Sequence, residues 1–207
     1  QKVNRSYNLE SSFFPYVDNN VVLAITSANS GKVKENTYAY LKTKDSQQAF
    51  NALKKVAARI DKNHYNKQYQ GYQIIRVPSD NFFRELLGNS FSHFQSPYFT
   101  VFNDYLIGCP SRSNLVNLVQ ELEDGKSLAQ NDIYQSTASG ITSESNLSLY
   151  LNITEALNMI PENHPFNKTV EKNRSFFNSL NGLSIEFTDA NRFYFTSVFL
   201  NTGEKLR

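Results

Sequence analysis

At 207 residues, with 40% hydrophobic and 14% aromatic content, the chain holds enough apolar material for a packed core, which excludes wholesale disorder. Its 21 Lys and Arg against 19 Asp and Glu leave a net charge of +2, which removes the electrostatic case for a nucleic-acid binder. A single cysteine, Cys109, excludes an intrachain disulfide framework and any zinc site built from several thiolates.

Residues 1–20 read as an irregular lead-in, polar apart from Phe13-Phe14-Pro15-Tyr16. Val21 to Thr26 is β-rich, Asn29 to Lys32 supplies turn residues, and Thr37 to Thr43 alternates as the second strand of a hairpin. Asp45 or Ser46 then caps a helix whose Ala49, Leu53, Val56, Ala57 and Ile60 form one stripe. Lys54 and Lys55 lie mostly off that stripe and read as a solvated face. Asp61 to Gln70 reads as a polar loop and Tyr72 to Val77 as a strand. Pro78-Ser79-Asp80 stops the strand and caps a short helix carrying Phe82, Phe83, Leu86 and Leu87, which Gly88 ends.

Tyr98 to Phe102 and Tyr105 to Ile107 flank Asn103-Asp104, residue types that tolerate the positive φ of a tight hairpin. Leu115, Leu118, Val119 and Leu122 follow the i, i+3, i+4, i+7 pattern of an amphipathic helix that Gly125 ends, and Ser127 caps a shorter helix around Ile133 and Tyr134. Leu147, Leu149 and Leu151 alternate with Ser148, Tyr150 and Asn152, the pattern of a strand with one buried face. A helix from Thr154 to Met159 stops near Pro161, and a longer one from Phe166 to Leu180 is ended by Asn181-Gly182. Leu183 to Thr188, the turn Asp189-Ala190-Asn191 and Arg192 to Leu200 make a closing hairpin. Hairpins flanking helices predict an α+β fold, with a mixed, mainly antiparallel sheet and helices packed on one face. No Pro- or Gly-rich linker interrupts residues 21–207, which are expected to form a single domain.

The residues that carry chemistry are few. His64, His93 and His164 sit in separate loops, without an acid or second His at metal-ligand spacing. No GxSxG or SxxK element marks a serine nucleophile. Glu121, Glu123 and Asp124, with Asp132 nearby, cluster at a helix end, where adjacent acids face solvent rather than oppose each other across a cleft. Ser30-Gly31-Lys32 resembles part of a phosphate loop but lacks its first glycine and following helix; a hairpin turn explains it. Cys109 follows strand residues and reads as a buried structural thiol. The residues therefore name no catalytic, cofactor-binding or metal-ligating site. The tyrosines Tyr38, Tyr40, Tyr98, Tyr105, Tyr150 and Tyr194 alternate along strands and read first as tyrosines at the edge of a core, with one exposed face for a carbohydrate or peptide as the alternative. A single-strand nucleic-acid binder would add cations to those strands, where only Lys42, Lys44 and Arg192 qualify. NxS/T sequons occur at Asn4, Asn146, Asn152, Asn167 and Asn173, as expected by chance in an Asn-rich chain.

The chain starts at Gln1 and ends in GEKLR, which suggests a mature or excised part of a longer protein, and no apolar run is long enough for a transmembrane helix. The order YFTVFNDYLIGCPSRSNLVNLVQELEDGKSLAQNDIYQ, followed by NLSLYLNI, resembles domain-of-unknown-function family 3352. The shared pattern is an aromatic strand and turn, a strand ending in a small-residue break, a helix, a SLAQNDIYQ-like segment and an alternating strand. The upstream YAYLKTKDSQQAFNALKKV and YQGYQIIRV and the final FYFTSVFL fit the same scheme, so the resemblance runs from about Val21 onward. It implies an exported bacterial protein, periplasmic or on the outer surface, often a lipoprotein anchored through an upstream segment. It implies no known activity, no cofactor and no catalytic residue. The expectation is a non-enzymatic extracytoplasmic binding or scaffold domain that meets an unknown protein or glycan partner of the cell envelope, and no nucleic acid. The alternative is a hydrolase of unrecognised type acting on an envelope or gut-derived polymer.

Overall fold

In the computed structural model, residues 8–26, 34–80, 82–92, 94–139, 145–190 and 193–203 are described. Their contacts fall into two compact units, the first ending at Glu123 and the second beginning at Asp124. The sequence pattern suggested one domain over 21–207. The division falls where Asp124, Gly125, Lys126 and Ser127 are all exposed and Gly125 takes a φ of 77°, a junction whose composition reads only as a helix stop.

The first unit is built on a six-stranded antiparallel sheet ordered β1-β2-β6-β5-β4-β3. Its strands are β1 (Val17–Ile25), β2 (Thr37–Thr43), β3 (Asn66–Tyr69), β4 (Tyr72–Arg76), β5 (Tyr98–Phe102) and β6 (Tyr105–Cys109). Asn103 turns β5 into β6 with φ 52°, closing the Phe102–Tyr105 pair as the turn chemistry requires. β3 falls inside the segment read as a polar loop. Gln70 and Gly71, at φ 45° and 88°, form a two-residue turn that folds it onto β4 with Tyr69 opposite Tyr72.

Strand alternation sends side chains to two covered faces. Ala39, Leu41, Ile75, Val77, Phe99 and Leu106 form one core with α2 (Ser46–Ile60) and α3 (Phe82–Leu87). Tyr38, Ile74, Ile107 and Cys109 form the other with Leu115 and Leu118 of α4 (Arg112–Glu123). The α+β class and antiparallel pairing stand, while the helices divide between both faces of this sheet. The lead-in also contributes. Leu9 and Phe13, one helical turn apart around α1 (Leu9–Ser12), are buried in the first core, and β1 begins at Val17 rather than Val21.

Asp45 is the residue that caps α2: its Oδ1 accepts the Gln48 N–H at 2.9 Å and its Oδ2 accepts the Gln48 side-chain amide at 2.6 Å. The hydrogen bond from the Gln48 backbone, followed by that from its side chain, holds the Asp45 carboxyl below its ordinary pKa. A lowered folded-state pKa adds stability above the unfolded value and loses it as pH falls through the folded one. Asp45→Ala is therefore expected to lower the urea midpoint at neutral pH, and the gap from wild type should narrow below about pH 4.

The second unit carries a three-stranded antiparallel sheet, β7 (Leu147–Asn152), β8 (Leu180–Ala190) and β9 (Phe193–Thr202), with β8 central. Its helices are α5 (Asp132–Ala138), α6 (Ile153–Asn158), α7 (Phe166–Lys172) and α8 (Arg174–Asn178). Asn131, not Ser127, caps α5 by accepting the Tyr134 N–H at 3.0 Å. The single helix expected from Phe166 to Leu180 breaks at Asn173, whose φ of −119° leaves the helical region. Leu180, Asn181 and Gly182 then open β8 instead of ending a helix, with a register shift at the bend.

The faces of this sheet reverse the expected pattern. Ser184 and Glu186 are buried, and Gly182 lies against Ile133 and Thr137 of α5. The opposite register, including Leu147, Leu149, Phe187, Val198 and Leu200, is exposed at 59%, 44%, 44%, 61% and 49%. So the leucines of β7, expected on a buried face, line an open apolar one. This face should bind an apolar dye such as ANS, and Leu149→Lys with Val198→Lys should cut the fluorescence without changing circular dichroism.

Candidate functional site

The register of β3, β4 and β5 gathers the most distinctive constellation of the first unit. Arg76 pairs with Tyr98 across β4 and β5, and its N–H donates to the Tyr65 carbonyl at 2.9 Å. Lys67 lies opposite Ile74, which is two residues from Arg76 and points to the α4 side. Alternation thus puts Tyr65, Lys67, Arg76 and Tyr98 on one face. They line an open cavity of about 410 Å³, whose rim is completed by Asp61, Asn63, His64, Asn66 and Pro78.

The two tyrosine rings meet edge to face, with centroids 5.7 Å apart and planes at 79°. Cations surround them. The Arg76 guanidinium lies 5.8 Å from the Tyr98 ring centre, and Lys67 Nζ and the Arg112 guanidinium lie 5.7 and 5.8 Å from that of Tyr65. Arg112, in the first turn of α4, donates through Nη1 to the Tyr65 hydroxyl at 3.1 Å, while Arg76 Nε donates to the Ser96 carbonyl at 3.4 Å. Among the described residues, no carboxylate lies within ion-pair distance of Lys67, Arg76 or Arg112; the ion pairs are Lys42–Asp104 and Lys126–Asp124. Asp61 is the carboxylate of the rim, and its Oδ1 accepts the Asn63 N–H at 2.8 Å. His64 Nδ1 lies 3.0 Å from the Asp61 carbonyl, which identifies Nδ1 as the donor, and Nε2 is buried without a partner.

Of the histidines, His64 alone reaches this cavity. His164, in the second unit, accepts the Phe166 N–H at 3.2 Å, and His93 lies outside the described residues. Ser30-Gly31-Lys32 and Arg192 lie outside them too, as do Asn4 and the side chain of Tyr194. The acids do not gather into a cleft. Glu123 accepts the Tyr72 hydroxyl at 2.7 Å, Asp124 pairs with Lys126 at 3.8 Å, and the acidic cluster is split between the units. No group of three His, Cys, Asp or Glu side chains among the described residues could hold a metal ion.

The predicted tyrosine face is divided. Tyr38 is buried in the α4-side core, and burial pushes its hydroxyl pKa up to about 12; burial raises that of Tyr40 further. Tyr105 sits under Lys42 at 4.9 Å, a cation already paired with Asp104. Tyr150 belongs to the second unit, edge-on to Tyr134 at 5.0 Å. Tyr98 is the predicted tyrosine that reaches an open site. Tyr65 and Lys67 fall in the segment expected as a loop, and nothing in the sequence shows that Arg76 and Arg112 come to the same tyrosines. Tyr69-Gln-Gly-Tyr72 was the available hairpin signal, and pairing across it places Lys67 on the face of Arg76.

Asn146 accepts the Asp189 N–H at 2.6 Å, Asn152 caps α6, and Asn167 and Asn173 donate their amides to nearby carbonyls, so these sequon side chains work locally. Cys109 is buried, its thiol donating to the Glu35 carbonyl at 3.5 Å, and burial pushes its pKa up to about 12. The native protein should therefore resist a thiol reagent such as DTNB at pH 8, with one thiol appearing only in denaturant.

What the fold and pocket define is an α+β protein with a tyrosine-lined cationic cavity. The chain belongs to the family described as protein of unknown function (DUF3352), whose profile matches residues 4–191. No curated protein and no solved structure shows a significant match to it. No helix among the described residues is long and apolar enough to cross a membrane.

Proposed function

We propose that the chain is a non-enzymatic binding domain of a bacterial envelope protein, acting in the periplasm or at the outer surface, and that the Tyr65–Tyr98 cavity is its binding surface. The observation that carries this reading is a cluster of cations at an open cavity with, among the described residues, no carboxylate paired to them. An active site sets titratable groups against one another in acid and base roles. Here the rim histidine is turned to its own loop and the rim carboxylate to the Asn63 N–H. The abundance of Asn, Ser and Thr supports an exported setting.

The test is to incubate the purified chain with generic ester, phosphate and glycoside substrates. The expected result is no turnover above buffer. Turnover that disappears in His64→Ala or Asp61→Asn would overturn the reading in favour of a hydrolase acting on an envelope or gut-derived polymer. Fractionation of the producing cells should place the native protein outside the cytoplasm, and a cytoplasmic location would overturn that part.

A further inference from the structure

We infer that the cavity takes an anionic saccharide, with the sugar's acidic group seated between Arg76 and Lys67; this rests on the binding reading above. The Ser96 carbonyl accepts one Arg76 guanidinium N–H, orienting that fork while leaving it further donors; Arg112, behind Tyr65, donates to the Tyr65 hydroxyl and steadies that ring. A planar guanidinium matches paired carboxylate or phosphate oxygens, and among the described residues no carboxylate is ion-paired to Arg76 or Lys67, the rim carboxylate of Asp61 accepting the Asn63 N–H instead.

The rest of the wall suits a sugar better than a bare ion. Tyr65 and Tyr98 form an edge-to-face corner, and the ring faces, negative at their centres, attract the polarised C–H groups of a pyranose. Asn66 accepts the Gln73 amide through Oδ1 at 2.7 Å, which leaves its own NH₂ as a rim donor for a hydroxyl. About 410 Å³ lies in the size range of small-ligand sites. Nucleic acid is disfavoured, because the cations form one pocket rather than a stripe and the chain carries only +2.

Calorimetric titration of the whole chain with trigalacturonate, its carboxyl-reduced neutral counterpart and inorganic phosphate tests this. Trigalacturonate should bind at least about tenfold more tightly than the neutral trisaccharide or phosphate, and about 0.3 M salt should weaken it. Arg76→Gln and Lys67→Gln should each cost about tenfold, Arg76→Lys should recover part of the loss, and circular dichroism should confirm that each variant is folded. Equal binding of the neutral trisaccharide would overturn the role of the cations. Equal binding of phosphate would leave a free-anion site and overturn the saccharide. Failure of trigalacturonate to bind the folded chain, or binding untouched by both glutamine variants, would overturn the inference outright. None of these outcomes decides the broader non-enzymatic reading, which turnover of a substrate would overturn.

Discussion

Phe83→Ala is expected to be the most damaging single substitution in the first unit, costing about 3–5 kcal/mol. Phe83 is fully buried, and its ring centre lies 4.7 Å from that of Phe94 and 5.1 Å from that of Phe99, with Phe82 and Phe91 at 5.9 and 6.1 Å. Truncation leaves a void among rigid rings that have no freedom to collapse into it. Domains of this size are stable by only about 5–15 kcal/mol, so the loss is a large share of the total. Urea unfolding followed by circular dichroism measures it. A cost under about 1 kcal/mol would show that the ring is not packed as described.

Gly108→Ala tests the same core from the opposite direction. A Cβ at Gly108 would lie 2.6 Å from Phe83 Cζ and 2.9 Å from Phe99 Cε1, closer than any real contact. Gly108 sits in β6 opposite both Ala39 and Phe99, so the strand cannot yield without breaking pairs on two sides. The rings must move instead, and such overpacking costs about 1–3 kcal/mol. In a Phe83→Leu background the flexible leucine relieves the clash, and the added cost of Gly108→Ala should fall. Equal costs in the two backgrounds would mean that Phe83 does not press on this strand.

How much of this was legible in the sequence depends on where each signal resides. The β5–β6 hairpin and the Asp45-capped helix were readable because turn and cap chemistry is local: Asn103 tolerates its positive φ, and Asp45 reaches the Gln48 N–H within one turn. β3 was not readable from Asn66-Lys-Gln-Tyr69, a polar edge strand held by pairing to β4 rather than by a buried face. The helix expected from Phe166 to Leu180 failed because spaced apolar residues imitate a stripe, while Asn173 breaks the backbone and Leu180 pairs with Thr202. The cavity was out of reach for a related reason. Tyr65, Arg76, Tyr98 and Arg112 lie on separate elements, and it is the β3–β4 and β4–β5 registers and the Arg112–Tyr65 hydrogen bond, none of them local in sequence, that bring them together. The apolar face of β7 was legible as a face, but alternation does not say which side the helices will cover.

The central claim is that this cavity is a binding site. It is tested most directly by an NMR titration of ζ-carbon-labelled tyrosine protein with trigalacturonate. The Tyr65 and Tyr98 resonances should shift first and saturably, while Tyr38, buried in the core, and Tyr150, in the second unit, stay fixed. Saturable shifts confined to other tyrosines, with Tyr65 and Tyr98 unmoved, would contradict the account.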